Sequence, residues 1–457
     1  MPRLTCFKAY DVRGRLGVEL DDDIAWRIGR AFAEVRKAGR VVVGRDCRAS
    51  SETLAAALTR GLRDGGAEVL DIGLAGTEEV YFATAHLGAD GGIEVTASHN
   101  PIDYNGMKLV GLGARPLDPE TELAAVKALA ETGNFAAARR GGLTPCPELR
   151  RAYVQKVLSF VDVAALKPLT ILVNAGNGTA GPSFDAIAEA LEARGAPLRF
   201  VRMHHAPDGS FPNGIPNPLL PENQPATARA VRASAADFGV AWDGDFDRCF
   251  FFDAEGAFVA GEYVVGLLAQ IFLLKTPGAG IVHDPRVVLG TRSIVAAAGA
   301  RAIESRTGHA YLKQSMRESG AIYGGEMSAH HYFRDFMCCD SGMIPWLLIA
   351  ELVSRSGRSL AELLAAMRSD FPSSGEINFR VDDTAEVIAR VRAAFAPLHP
   401  TADENDGLSL AFPNWRLNLR ASNTEPLLRL NVESRGDASL LAARVAELAA
   451  LIGGTRI

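Results

Sequence analysis

The 457-residue chain is too long for one compact core and has the composition of an ordinary soluble protein, 48% hydrophobic and 22% charged, with a net charge of −6. That charge gives no electrostatic reason to expect nucleic acid or an anionic membrane as partner, so an anionic ligand has to be met by local basic groups. The six cysteines show no Cys-x-x-Cys spacing, the N-terminus lacks a signal-peptide pattern, and no apolar stretch is long and uninterrupted enough to span a bilayer. A reduced, cytoplasmic protein is expected.

Thr5 to Gly14 opens as a short strand-like run in which Arg13 is either a phosphate ligand or a solvated turn residue. Helical spacing over Ile24–Val35 and Ser51–Arg63 then alternates with the strand-like runs Val41–Gly44 and Val69–Ile72. Such alternation predicts parallel strands joined by crossovers, with ligands beyond the strand C-terminal ends. At such an end the run Gly91–Val95 gives way to Thr96-Ala97-Ser98-His99-Asn100-Pro101. Pro101 has a fixed φ and disfavours helical geometry at Asn100, so the loop is predicted to be stiff and to deliver Ser98. A serine is a weak nucleophile without help. His99 is adjacent, but neighbouring strand residues point to opposite faces, which argues against a Ser-His pair if strand geometry persists. Asn105–Val110 can complete a hairpin that brings Lys108 near Ser98. A helical tail over residues 119–132 leads into Gly141-Gly142 and Pro145-Cys146-Pro147, which closes a first α/β domain, 1–147.

A second α/β domain, 148–255, contains Gly176, Gly178 and Gly181 after the strand Leu169–Asn174, a formal dinucleotide fingerprint. The following strand ends in Arg202, Met203 and His204 instead of the acid that would hold a ribose, so close helix–strand packing is the preferred reading of those glycines. A long loop, 207–225, precedes the strand Phe238–Trp242, which runs into Asp243-Gly244-Asp245-Phe246-Asp247-Arg248. Three carboxylates at alternate positions are hard oxygen ligands converging on one small cation, as Mg²⁺ requires, whereas the spacing of a calcium EF-hand is missing.

In a third α/β domain, 256–370, polar groups gather after each strand: Asp284-Pro285-Arg286, Ser305 to His309, and Glu326-Met327-Ser328-Ala329-His330-His331. Adjacent histidines seldom chelate together, while Glu326 and Ser328, two apart, suit sugar hydroxyls. The last domain, 371–457, reads as a smaller α+β unit, an antiparallel sheet with helices on one face. Its loop Arg420-Ala421-Ser422-Asn423-Thr424 offers an arginine fork, hydroxyls and an amide for phosphate.

Together these loops resemble those of the α-D-phosphohexomutase superfamily, over essentially the whole chain. The phosphoserine loop corresponds to Thr96–Pro101, the magnesium loop to Asp243–Arg248, the sugar loop to Gly325–His330 and the terminal phosphate loop to Arg420–Thr424. The Glu-Met-Ser-x-His form is similar to the phosphomannomutase and dual-specificity branch. The resemblance implies an α/β fold of four domains around a central cleft, three of one topology with mixed sheets. It implies an isomerase moving phosphate between O6 and O1 of mannose, and of glucose in the dual-specificity case, to feed nucleotide-sugar and polysaccharide synthesis. By the same resemblance Mg²⁺ is held by phosphorylated Ser98, Asp243, Asp245 and Asp247, and Arg13, Lys108 and Arg248 stabilise the transferring group. Substrate contacts are implied for Tyr10, Arg286, Glu326, Ser328, His330, Arg420, Ser422, Asn423 and Thr424, with a hexose 1,6-bisphosphate as activator. Sugar phosphates are the expected partners, nucleic acid and membrane are not, and a monomer or weak dimer is expected. One departure is Arg286, where dual-specificity members carry lysine. Arginine is a poor base, which moves the acid/base role to His309. The rival readings are a phosphatase with Asp243 as nucleophile, which leaves Ser98 idle, and a non-catalytic sugar-phosphate sensor, which leaves nucleophile and metal ligands unexplained.

Overall fold

The computed structural model describes residues 3–421 and 427–457. The chain forms two compact units, Met1–Phe258 with His330–Arg358, and Val259–Ala329 with Ser359–Ile457.

In the first unit, one six-stranded sheet has the order Val12–Arg15, Tyr104–Gly111, Gly91–Val95, Arg40–Arg45, Glu68–Leu74, Leu143–Pro145. Gly91–Val95 runs parallel to Arg40–Arg45 and antiparallel to Tyr104–Gly111, so the expected hairpin forms within a mixed sheet. Ile93, Val95, Val41 and Val43 bury one face against Phe32 and Leu58 of the helices Asp22–Arg36 and Ser51–Asp64. A helix the sequence reading did not name, Thr77–His86, also belongs to this unit; Val80, Tyr81, Phe82 and Ala83 are all buried. A helix covered on most sides loses the amphipathic stripe by which sequence reveals helices.

A second mixed sheet sets Phe238–Trp242 parallel to Leu169–Asn174 and antiparallel to Cys249–Asp253. The fingerprint glycines are used for backbone approach. A Cβ on Gly178 would lie 2.7 Å from the Gly244 carbonyl oxygen, and one on Gly181 would lie 2.0 Å from that of His205. Arg202 pairs with Asp185 at 2.9 Å. The unit also holds the antiparallel pair His331–Phe333 and Cys339–Asp340, and the helix Met343–Ser356. Buried Glu78 caps that helix, accepting from Ser341 Oγ at 2.9 Å and Met343 N at 3.3 Å.

In the second unit the strands Arg301–Glu304, Gly280–His283 and Tyr323–Gly325 run parallel. A six-stranded antiparallel sheet follows, with the strands Thr401–Asp403, Leu408–Ala411, Trp415–Ala421, Leu427–Ser434, Ser373–Arg380 and Thr455–Arg456 in that order. Of these, 401–403, 408–411 and 455–456 were not anticipated. Trp415, Leu417 and Leu419 pack with Leu428, Leu430 and Val432 against the helices Thr384–Phe395 and Ala438–Ile452. The alternate residues Arg416, Asn418, Arg420, Asn431 and Glu433 are buried as well, so the polar face of this sheet is covered. Among the described residues no helix is long and apolar enough to cross a membrane.

Candidate active site

The strand Gly91–Val95 ends before the serine, and Ser98 itself adopts φ +48°, a left-handed conformation uncommon for a residue with a side chain. Strand geometry, the condition on which a Ser98–His99 pair was disfavoured, therefore does not persist to this point. Once the extended geometry stops, alternation stops with it, and His99 Nδ1 lies 2.9 Å from Ser98 Oγ. Ser98 Oγ also lies 2.7 Å from Asp243 Oδ2. Desolvation and the adjacent Arg248, whose guanidinium contacts Nδ1, push the pKa of the half-buried His99 down to about 4. Arg13 braces the same loop, donating to the Ala97 carbonyl at 2.9 Å and to Asn100 Oδ1 at 2.5 Å. Tyr10 is half-buried in the turn before Val12–Arg15.

The acidic loop is buried throughout. Burial pushes Asp243 up, but Arg248, donating from Nε at 2.8 Å, holds it well below the usual carboxylate range. Asp245 likewise is brought down against burial by Lys108, whose Nζ is 2.7 Å away; it also accepts from Thr77 Oγ1 at 2.6 Å. Burial, aided by Asp245, leaves Asp247 raised to about 6 although Lys108 reaches it too. The ligand oxygens of Asp243, Asp245 and Asp247 lie within 4.8 Å of one another, and Oδ1 of both Asp245 and Asp247 has no hydrogen-bond partner. Buried carboxylate oxygens are rarely left without a donor, and these are hard ligands on a short loop, so the residues fit a Mg²⁺ ion. His330 Nδ1 lies 2.9 Å from Asp340 Oδ2 and 3.9 Å from Asp247 Oδ1, which places it beside the acidic loop.

In the second unit, Arg286 is buried and locked by Asp284, which accepts from Nε at 2.9 Å and from the Arg286 backbone N–H at 3.0 Å. Burial works against its charge, yet Asp284, Glu376 and Glu326 raise its pKa. Ser328 Oγ is 3.3 Å and Glu326 Oε1 3.7 Å from its NH2. Glu376 gathers Arg420 at 3.2 Å, Arg429 at 3.5 Å and Arg286 at 3.8 Å. Burial and the nearby Arg286 lower the pKa of Arg420, and its Nε has no hydrogen-bond partner. His309 opens the helix His309–Ser319, half-buried, and the N–H of the preceding Gly308 donates to Glu326 at 2.9 Å. Ser422, Asn423 and Thr424 lie outside the described residues.

Sequence reasoning missed several residues at these places. Arg48 donates to carbonyl oxygens of the Ser98 loop. Thr77 and Asp340 reach Asp245 and His330 from segments whose sequence carries no motif. Arg416 and Glu433, directly paired across neighbouring strands, hold the segment from the Asp284–Arg286 turn into the helix Leu289–Ala297: Arg416 donates to the Pro285 carbonyl at 2.8 Å, and Glu433 accepts from Val288 N at 2.8 Å and Leu289 N at 2.9 Å. The strictly alternating runs Arg416-Leu417-Asn418-Leu419-Arg420 and Arg429-Leu430-Asn431-Val432-Glu433 were the available signal.

These loops and folds are those of a known enzyme class. Phosphoglucomutase/phosphomannomutase alpha/beta/alpha domain I matches residues 5–136, domain II residues 151–256, domain III residues 260–371 and the C-terminal domain residues 376–451. The chain belongs to the phosphoglucomutase/phosphomannomutase family and is an isomerase of the phosphomutase class. It is 58% identical to a phosphomannomutase of Salmonella montevideo over 455 residues, covering 99% of this chain and 100% of that protein. A protein of Xanthomonas campestris pv. campestris described as phosphohexose mutases is 56% identical over 451 residues, 99% of this chain and 100% of its own. A crystal structure of a phosphoglucomutase/phosphomannomutase family protein from Burkholderia thailandensis superposes with a TM-score of 0.88 at 31% identity, covering 100% of each chain.

Proposed function

We propose that the protein reversibly moves phosphate between O6 and O1 of mannose through Ser98 and a hexose 1,6-bisphosphate. The observation that carries this reading is Ser98 Oγ, 2.7 Å from Asp243 in a loop of three buried carboxylates answered by Lys108 and Arg248. A sugar hydroxyl attacks the phosphoryl group on Ser98; the new O–P bond forms as the bond to Ser98 Oγ breaks, and the hydroxyl proton passes to a nearby base. The sugar, now a bisphosphate, turns round and returns its other phosphoryl group to Ser98 Oγ by the reverse of that step. Mg²⁺ held by Asp243, Asp245, Asp247 and a phosphoserine oxygen would neutralise charge on the transferring group. Arg248 and Lys108 are charged donors beside the path of transfer, while Arg13 fixes the loop that carries the nucleophile.

His309 is the proposed acid/base group, because Arg286, tied to Asp284, keeps its proton and is suited to binding a hydroxyl or phosphate instead. Glu326 and Ser328 hold O3 and O4, which have the same geometry in mannose and glucose, so that grip survives reorientation. Arg420, with Ser422, Asn423 and Thr424, takes the phosphate that is not reacting. The names of the relatives support mannose as substrate and a place in supplying sugar 1-phosphates for nucleotide-sugar synthesis. Asp243 already accepts from Ser98 and twice from Arg248, which disfavours it as the nucleophile of a phosphatase.

Coupled assays with mannose 1-phosphate and glucose 1-phosphate, each with and without a trace of glucose 1,6-bisphosphate, test the reading. Isomerisation of mannose 1-phosphate, stimulated by the bisphosphate, is expected. Steady release of inorganic phosphate without isomerisation would refute it.

A further inference from the structure

Ser98 departs from ordinary backbone geometry, and something has to hold it there. Its left-handed φ costs on the order of the penalty usual for a residue with a side chain, so it persists only where the surroundings impose it. Two groups grip its peptide. On one side the carbonyl oxygen lies where a Cβ on Gly244 would come within 2.4 Å, so the acidic loop packs backbone to backbone against the serine. On the other side lies Arg48, which is buried. Its NH2 donates to the carbonyl oxygens of Ser98 at 3.0 Å and Asn100 at 2.6 Å. Its NH1 donates to those of Pro101 at 2.9 Å and Tyr104 at 3.2 Å. One planar fork thus ties down four peptides between Ser98 and Tyr104, the loop that presents the nucleophile and the start of the strand after it.

The fork is itself fixed from behind. Asp46, 3.6 Å from Arg48 Nε, supplies the counter-charge and accepts from the Arg48 backbone N–H at 2.9 Å. The Phe211 ring lies over the guanidinium, its centroid 5.3 Å from Cζ. Next to it, Gly209 makes an isolated strand bridge with Arg48, and a Cβ there would sit 2.1 Å from the Cys47 carbonyl oxygen. The long loop 207–225 therefore packs against the residue that grips Ser98.

We propose that Arg48, backed by Phe211, is a positioning residue for phosphoryl transfer: it touches no reacting atom, but holds Ser98 in the left-handed conformation that aims Oγ at the acidic loop. This rests on the reading of Ser98 as the phosphoryl carrier. A purely structural arginine would affect stability alone. A positioning arginine affects the transfer step, because a displacement of about 1 Å at a reacting atom costs roughly 10²-fold in rate. Lysine keeps the charge but offers a single point donor where the fork spans four carbonyls, so the substitution is not conservative here.

The test uses the full-length protein, Arg48→Lys and Phe211→Leu. Turnover and KM are measured with mannose 1-phosphate at saturating glucose 1,6-bisphosphate, and phosphorylation of Ser98 by glucose 1,6-bisphosphate is followed by intact mass. Arg48→Lys is expected to lose about 10²-fold in kcat and in the rate of Ser98 phosphorylation, with KM and the Mg²⁺ concentration for half activity within about twofold of wild type. Phe211→Leu, which keeps an apolar side chain, is expected to lose roughly 3- to 10-fold in the same rates. Wild-type kcat and phosphorylation rate in a folded Arg48→Lys would overturn the proposal. Should that variant not fold, wild-type rates in Phe211→Leu would overturn it equally. Wild-type protein that has first been dephosphorylated and then gains no phosphate on Ser98 from the bisphosphate would instead overturn the reading of Ser98, and the role of Arg48 with it.

Discussion

Around Ser98 the buried charges answer one another: Lys108 spans Asp245 and Asp247, and Arg248 grips Asp243. Around Glu376 the balance differs, because Arg286, Arg420 and Arg429 all approach a single carboxylate, and Arg420 is left with its charge disfavoured by burial and by Arg286. Under the proposed function, the first region would hold a nucleophile and a cation in fixed geometry, and the second would receive an anion that arrives with the substrate. Loss of a group in the first should therefore appear in kcat, and loss of a group in the second in KM.

The sharpest test of that contrast is Ser98→Ala. It removes one small hydroxyl from a loop and leaves the core untouched, so the fold persists while turnover falls by about 10³-fold or more. Intact-mass analysis is expected to show one phosphate on the wild type and none on the variant; wild-type turnover in the variant would abolish the distinction between the regions. Asp245→Asn keeps size but deletes one of three ligand charges. Mg²⁺ affinity is expected to drop about 10- to 100-fold, with activity partly restored at high Mg²⁺, and EDTA is expected to silence the wild type. Direct Mg²⁺ titration of both proteins checks this independently of turnover.

In the second region, Arg420→Ala is expected to raise KM for mannose 1-phosphate by roughly 10- to 100-fold, with a smaller change in kcat, and Arg420→Lys to fall between. Should kcat fall tenfold with KM unchanged, Arg420 would belong functionally with Ser98. Glu433→Gln tests the support behind Arg286. It leaves Arg416 buried without its counter-charge, a loss that costs on the order of 3–5 kcal/mol in buried pairs, and it loosens the turn after Pro285. Urea unfolding and a several-fold rise in KM measure the two effects separately.

The smallest effect concerns pH. Buried His283 donates from Nδ1 to the Asp284 carbonyl at 2.8 Å, and burial with Arg292 lowers its pKa from 6.5 to about 4. The unfolded chain therefore binds the extra proton first. Stability is complete above about pH 6.5 and declines as pH falls toward 4, by up to roughly 3 kcal/mol from this group. His283→Gln should flatten that decline between pH 6.5 and 5 in thermal melts. An unchanged slope would mean that His283 is not buried neutral.

Both regions were legible where their chemistry lies in loops that follow strands, the first most plainly. Its chemistry lies in contiguous loops, where Asp243-Gly244-Asp245-Phe246-Asp247 and Thr96 to Pro101 each follow a strand, so type and spacing expose them. The Ser98–His99 contact was not legible because it depends on the strand ending at Val95 and on the left-handed turn at Ser98. Arg48 escaped notice for a different reason. Its partners are carbonyl oxygens, which every residue carries, so no side-chain pattern announces the contact.

The sequence by itself determined the alternation of strands and helices, the hairpin bearing Ser98 and Lys108, and the acidic loop. Each depends on residues close in the chain and on local rules of periodicity and turn chemistry. Only the tertiary structure decided which lysine answers which aspartate, that Thr77 and Asp340 reach the acidic loop and His330, and that the polar face of Trp415–Ala421 is buried instead of solvated. A strand of alternating leucine with arginine and asparagine has the same local preference whether water or another sheet covers its polar side. Burial is set by what the rest of the chain brings against that face, and here that includes the Pro285 and Arg286 carbonyls that meet Arg416.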